Sequence, residues 1–158
     1  MGKEIERKFL VNKKLWRKTQ KPQGLPIRQG FLLTEPEKTI RIRLTPEKAF
    51  FTIKGIGEGI VRTEFEYEIP RNDAEEILNQ FPVRELSKVR FKVEFENKLW
   101  EIDEFSGENE GLILAEIELE DENEEFTKPE WVEEEVTENP AYYNANLVNH
   151  PFQNWKEN

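Results

Sequence analysis

Polar and apolar residues alternate with period two along much of this chain, and that period is the mark of a half-buried strand. Glu4, Glu6 and Lys8 fall on one face of the first run, Ile5, Phe9 and Val11 on the other, with Arg7 out of step. Ile27–Leu33 reads as a second strand, Ile40–Leu44 as a third and Phe51–Lys54 as a fourth. In the fifth, Arg62, Glu64, Glu66 and Glu68 alternate with Thr63, Phe65, Tyr67 and Ile69. Lys88, Arg90 and Lys92 then alternate with Val89, Phe91 and Val93, Trp100 and Ile102 with Glu101 and Asp103, and Ala115, Ile117 and Leu119 with Glu116, Glu118 and Glu120.

Prolines at 36 and 46 end strands, and the glycines of Gly55-Ile56-Gly57-Glu58-Gly59 predict a hairpin loop with positive φ. That loop is no dinucleotide fingerprint, because a strand follows it. Helical patterns are few. Lys13–Gln20 is short and basic. Asn72–Phe81 is clearest, with Asn72 as N-cap, acids in the first turn and Pro82 as the stop. Asp121–Phe126, capped by Asp121, and Pro140–Val148 are read as two more short helices. The expected architecture is one mainly β (α+β) domain over residues 1–158, with seven or eight mostly antiparallel strands and a few peripheral helices.

Charge changes this picture most. The 158 residues hold 23 Lys and Arg against 33 Asp and Glu, a net charge of −10, so nonspecific nucleic-acid binding is not expected. The 11 Phe, 4 Trp and 3 Tyr exceed what a disordered acidic tail carries. No apolar run approaches the roughly 18 residues of a membrane span, and the first eight residues carry five charges, so neither a membrane segment nor a signal peptide is expected. The absence of cysteine excludes disulfides and thiolate chemistry and fits a reducing cytoplasm.

The charges are also sorted by strand. Arg41/Arg43 and Lys88/Arg90 are basic doublets, and Glu64/Glu66 and Glu116/Glu118 acidic ones. An open sheet with a solvated ionic face is one reading. The other is a closed barrel with its ionic faces turned inward around a polar ligand. The basic set is Lys8, Arg41, Arg43, Lys54, Arg62, Lys88 and Arg90, and it exceeds what one phosphate needs. The acidic set is Glu4, Glu6, Glu64, Glu66, Asp103, Glu116 and Glu118, hard oxygen ligands suited to Mg²⁺ or Mn²⁺. A polyphosphate with its metal satisfies both sets. Arg62, Glu64 and Glu66 either reach the ligand or only pair across strands. The single histidine, His150, sits beside Pro151 and makes no catalytic pattern with other residues, which leaves metal-activated water as the route to hydrolysis.

Several short motifs, in order, carry a resemblance. Glu4-Ile5-Glu6-Arg7-Lys8 fits E-x-E-x-K, Arg28-Gln29-Gly30-Phe31-Leu32 resembles R-Q-G-Y-L, and Arg41-Ile42-Arg43, Thr52-Ile53-Lys54 and Lys88-Val89-Arg90 resemble R-x-R, T-x-K and K-x-R strands. Trp100–Asp103, Leu114–Glu118, Glu134–Thr137 and Tyr142-Tyr143-Asn144 resemble later elements of the same family. The chain thus resembles CYTH-domain proteins, the triphosphate tunnel metalloenzymes, over nearly its whole length. Phe31 and Ala141 depart from the family's tyrosine and basic residue.

The resemblance implies an eight-stranded antiparallel barrel forming a triphosphate tunnel. It implies Mg²⁺, with Mn²⁺ as the variant, held by Glu4, Glu6, Asp103, Glu116 and Glu118. Triphosphate would be gripped by Lys8, Arg41, Arg43, Lys54, Lys88 and Arg90, with Arg62 added to them by its alternation alone, and Glu4, Glu6, Lys8, Lys54 and Lys88 would carry the catalysis. The expected reaction is hydrolysis of inorganic tripolyphosphate to pyrophosphate and phosphate. Thiamine or nucleoside triphosphate hydrolysis, a class IV-type adenylyl cyclase and a noncatalytic polyphosphate-binding module stay open. The expected partner is a small-molecule triphosphate, and a homodimer is implied.

Overall fold

The computed structural model describes residues 2–155. Its strands are β1 (Lys3–Val11), β2 (Leu25–Glu35), β3 (Lys38–Leu44), β4 (Ala49–Glu58), β5 (Val61–Ile69), β6 (Arg84–Phe95), β7 (Lys98–Phe105), β8 (Ile113–Glu118) and β9 (Val132–Glu135). The helices among the described residues are α1 (Lys13–Lys18), α2 (Arg71–Gln80) and α3 (Asn144–Leu147), with short 3-10 turns beside them. The sheet order β5-β4-β3-β2-β6-β7-β8-β1 is closed by pairing of β5 with β1. The protein is therefore a closed eight-stranded antiparallel barrel.

β9 lies outside this ring. Lys3, Glu4 and Ile5 of β1 pair with β5, whereas Phe9 and Val11 pair with β9. One edge of β1 thus serves two partners in turn, and β9 covers backbone groups that the departing β5 would leave open.

Most apolar strand faces point outward, and two of the three core clusters lie outside the wall. Phe9, Trp100, Ile102, Ala115 and Ile117 of β1, β7 and β8 meet Trp16 of α1 and Trp131. Ile42, Leu44 and Ala49 meet Ala74 and Leu78 of α2. Phe31, Leu86, Phe105, Leu112 and Leu114 form a third cluster with Val136, Leu147 and Val148 of the C-terminal segment. Phe31, Leu86, Phe105 and Leu114 lie on the same alternation as the ionic residues, so this cluster fills part of the barrel interior. Beyond Ala49, Phe51 and Ile69 the outer face of β4 and β5 carries no such cover, and Ile53, Phe65 and Tyr67 are exposed.

Local expectations fail at identifiable points. Asn72 lies inside α2, and Pro70 occupies the N-cap position with no side-chain cap. Residues 121–126 form no helix: the Asp121 carboxylate accepts from the Asn123 N–H in a turn, and Phe126 packs on Phe9 and Trp100. Residues 140–148 divide into a 3-10 turn, Pro140–Tyr142, and α3. The stretch expected to be a glycine loop mostly continues β4, with a bulge between Lys54 and Gly57, and only Gly59 has positive φ. Gly57 is required for a different reason: a Cβ there would stand 1.6 Å from the Val61 carbonyl oxygen.

Candidate functional site

A cavity of about 760 Å³ occupies the barrel interior beside the apolar plug. Strand register assembles its walls from rungs of facing side chains. Arg41, Thr52 and Glu66 lie opposite one another across β3, β4 and β5, and Thr39, Lys54 and Glu64 form the next rung. On the far wall Lys8, Glu116 and Glu101 face each other across β1, β8 and β7, and Glu6 faces Glu118. Glu4 lies opposite Arg62 at the closing seam.

Of the residues expected to form the site, Glu4, Glu6, Lys8, Arg41, Arg43, Lys54, Arg62, Arg90, Glu116 and Glu118 line this cavity. Glu64 and Glu66 do so as well. The inward alternation of β5 is real, and these acids also pair across strands: Glu66 lies 3.1 Å from Arg43, and Glu64 3.8 Å from Lys54.

Lys88 and Asp103 are placed differently. Neither is among the cavity-lining residues. Both are buried, with Lys88 Nζ 2.7 Å from Asp103 Oδ2 and 5.4 Å from the centre of the Phe105 ring. They form a layer beneath Arg90, against the apolar plug.

The cations and carboxylates of the cavity are interlocked. Lys8 Nζ is 3.5 Å from Glu116 and donates to the Tyr142 carbonyl at 3.3 Å. Lys54 Nζ is 3.3 Å from Glu4. Arg90 reaches Glu101 at 3.2 Å and Glu116 at 3.4 Å. Arg62 donates to the Tyr143 hydroxyl and lies over its ring.

Carboxylates of the cavity titrate in opposite directions, even along one wall. Burial, then Glu116 and Glu4, push the Glu6 carboxyl well above its ordinary value. Burial and neighbouring acids, Glu4 first, raise Glu64 and Glu118 also. Burial acts against ionised Glu116 too, yet Lys8, Arg90 and Lys88 outweigh it and bring its pKa down to about 2. Burial lowers Lys88 to about 8 despite Asp103.

These acids fit a hard divalent cation by chemistry. They are oxygen donors, and Glu6, Glu64 and Glu118 lie close enough to other acids to resist ionisation, a cost that a cation between them relieves. Among the described residues no three acids are drawn around one ion position. Glu4 and Glu116 are held instead by Lys54, Lys8 and Arg90.

Several site residues escaped the sequence reading. Thr52 is 1% exposed and donates to Glu66 at 2.9 Å. Glu101 and Lys92 line the cavity on the alternation that carries Asp103 and Arg90, so their spacing held the signal. Tyr143 enters from the C-terminal segment, where no periodicity announces it.

The model for the CYTH domain matches residues 2–151 of the chain. An inorganic triphosphatase of Acetivibrio thermocellus is 49% identical over 160 residues, spanning 99% of this chain and 100% of that protein. An inorganic triphosphatase of Nitrosomonas europaea is 36% identical over 154 residues, spanning 92% and 96%. The crystal structure of the inorganic triphosphatase NE1496 superposes with a TM-score of 0.62 at 32% identity, covering 92% of this chain and 93% of that one. A putative adenylate cyclase from Bacillus halodurans shares the fold, with a TM-score of 0.63 at 21% identity over 77% of this chain and 84% of that one. On this family match and these relatives, the chain belongs to the CYTH domain family.

Proposed function

We propose that the protein is a metal-dependent hydrolase of triphosphates, and that its preferred substrate is inorganic tripolyphosphate, cleaved to pyrophosphate and phosphate. The observation that carries this reading is the cavity itself: Arg41, Arg43, Lys54, Lys8 and Arg90 converge on one enclosed space with Glu4, Glu6, Glu116 and Glu118. The names of the relatives at 49% and 36% identity agree with it.

Membership of the family implies a divalent metal. Glu4, Glu6, Glu116 and Glu118 would hold it, as Mg²⁺ or Mn²⁺, and it would supply charge neutralisation and an activated water. Arg41 and Arg43 present guanidinium groups for bidentate contact with phosphate oxygens, and Lys8 and Lys54 add point charges. Arg90 spreads the charge that develops on the transferred phosphoryl group. Glu6, one of the acids that would hold the metal, also lines the cavity where it could take a proton from the attacking water. The surrounding barrel wall lowers the local dielectric and strengthens each of these interactions.

Specificity for an attached group needs a platform at the cavity. Trp16, Trp100 and Trp131 are committed to the outer core, and Trp155 packs on Tyr142 and Phe152. Among the described residues no tryptophan lines the cavity, though Phe31, Phe50 and Tyr143 do, and the preference for bare tripolyphosphate follows the names of the relatives.

The test is phosphate release from tripolyphosphate, ATP and thiamine triphosphate in parallel, with Mg²⁺, with Mn²⁺ and with chelator. Fastest turnover of tripolyphosphate, abolished by chelator, is expected. Cyclic AMP from ATP would move the assignment to a cyclase, and binding without turnover of any of the three would make the protein a binding module. The implied homodimer is checked by sedimentation.

A further inference from the structure

We propose that Asp103 is a positioning residue that clamps Arg90 and Lys88 from behind the cavity, and not one of the metal ligands. The proposal rests on the triphosphatase reading only for the meaning of the lost activity. The Asp103 carboxylate is fully engaged. Arg90 Nε donates to Oδ1 at 2.8 Å and Arg90 Nη2 to Oδ2 at 2.9 Å, a two-pronged contact. Lys88 Nζ lies 2.7 Å from the same Oδ2. Asp103 is 1% exposed and does not line the cavity, whereas Arg90 does. A divalent ion at Asp103 would have to displace two cations from a buried carboxylate.

Strand register explains the placement. Asp103 lies directly opposite Arg90 on β6 and Leu114 on β8, and Lys88 lies opposite Phe105. The carboxylate therefore has Arg90 on one side and the apolar plug on the other. The clamp has two consequences. It fixes the Arg90 guanidinium before substrate arrives, so the entropy of ordering that side chain is already spent. It also offsets the charge of the Arg90/Lys88 doublet from behind, leaving the Nη1 edge of Arg90 turned to Glu101 and the cavity.

The experiment compares Asp103→Asn, Arg90→Lys, their double variant and Glu116→Gln. The readouts are tripolyphosphate hydrolysis across a Mg²⁺ titration and metal-free binding of tripolyphosphate by calorimetry. Asp103→Asn is expected to lose on the order of 10–100-fold in kcat/KM. Its Mg²⁺ half-saturation should stay within about twofold of the parent, while that of Glu116→Gln rises about tenfold. The double variant should lose little beyond Arg90→Lys, in turnover and in calorimetric affinity alike. A Mg²⁺ requirement that rises in Asp103→Asn as in Glu116→Gln, or losses that add, would overturn the proposal. If the parent turns over no triphosphate, the triphosphatase reading fails and the calorimetric comparison still decides the role of Asp103. If Asp103→Asn does not fold, exchange of the Arg90 Nε proton in the parent decides: slow exchange with and without tripolyphosphate is expected, and fast exchange overturns the clamp.

Discussion

Lys54 of β4 reaches over β5 to Glu4 of β1, with Nζ 3.3 Å from Oε1, and so ties the wall that carries Arg41 and Arg43 to the wall that carries Glu6 and Glu118 at the seam where the barrel closes. The Lys54 side chain is about a quarter exposed, so its removal leaves a site that water can fill. Lys54→Ala should lower kcat/KM by roughly 100-fold, as loss of one preorganised charge does. Unfolding free energy should fall by about 1–3 kcal/mol, because the buried Glu4 loses its nearest cation. Phosphate release and urea denaturation measure the two.

Glu116 lines the cavity and is held by two cations, Lys8 at 3.5 Å and Arg90 at 3.4 Å. Glu116→Gln keeps the shape and removes the charge. Activity should fall at low Mg²⁺ and recover only partly at high Mg²⁺, since the remaining acids bind the ion less well. A Mg²⁺ titration of initial rates checks this.

The same residue predicts a pH dependence of stability. Its folded pKa of about 2 lies below the ordinary carboxylate value of 4.5. The sign follows: the unfolded chain takes up the proton first as pH falls, so the Glu116 contribution is full above about pH 4.5 and is lost towards pH 2. Glu6 acts in the reverse sense, because its raised pKa makes ionisation costly to the folded protein as pH rises. The stability gap between the parent and Glu116→Gln should narrow between pH 5 and pH 3, as read by denaturation at each pH. A gap independent of pH would refute the assignment of charge to Glu116.

Gly57→Ala should destabilise the barrel by about 1–3 kcal/mol, the usual cost of forced overpacking. The added Cβ would stand 1.6 Å from the Val61 carbonyl oxygen, and backbone has little room to yield. Because the bulge lies between Lys54 and the Gly57–Arg62 pair, activity should fall further than stability alone explains. Circular dichroism melts and rate measurements separate these effects.

Most strands were legible because charge recurs at every second position, and the barrel follows from which face the charges take. β9 was not legible: Val132-Glu133-Glu134-Glu135 shows no alternation, and it is a strand because β1 needs a partner beyond its contact with β5. The segment 121–126 carries a helix-like acid pattern, but Phe126 is worth more packed on Trp100 than on a short helix. Alternation correctly turned Lys88 and Asp103 inward yet said nothing of depth. Depth is decided by Phe105 and Leu114, which fill the barrel at that level.

Placing the main core clusters around the outer wall separates what keeps this chain folded from what its interior does. In a protein with its core at the centre, a change of specificity disturbs the packing that holds it together. Here the cavity-facing side of each rung can exchange one charged group for another while the outward-facing side is left alone. A barrel built this way is suited to diversification: one shell can be retuned to new anions by substitutions that leave its outer packing in place.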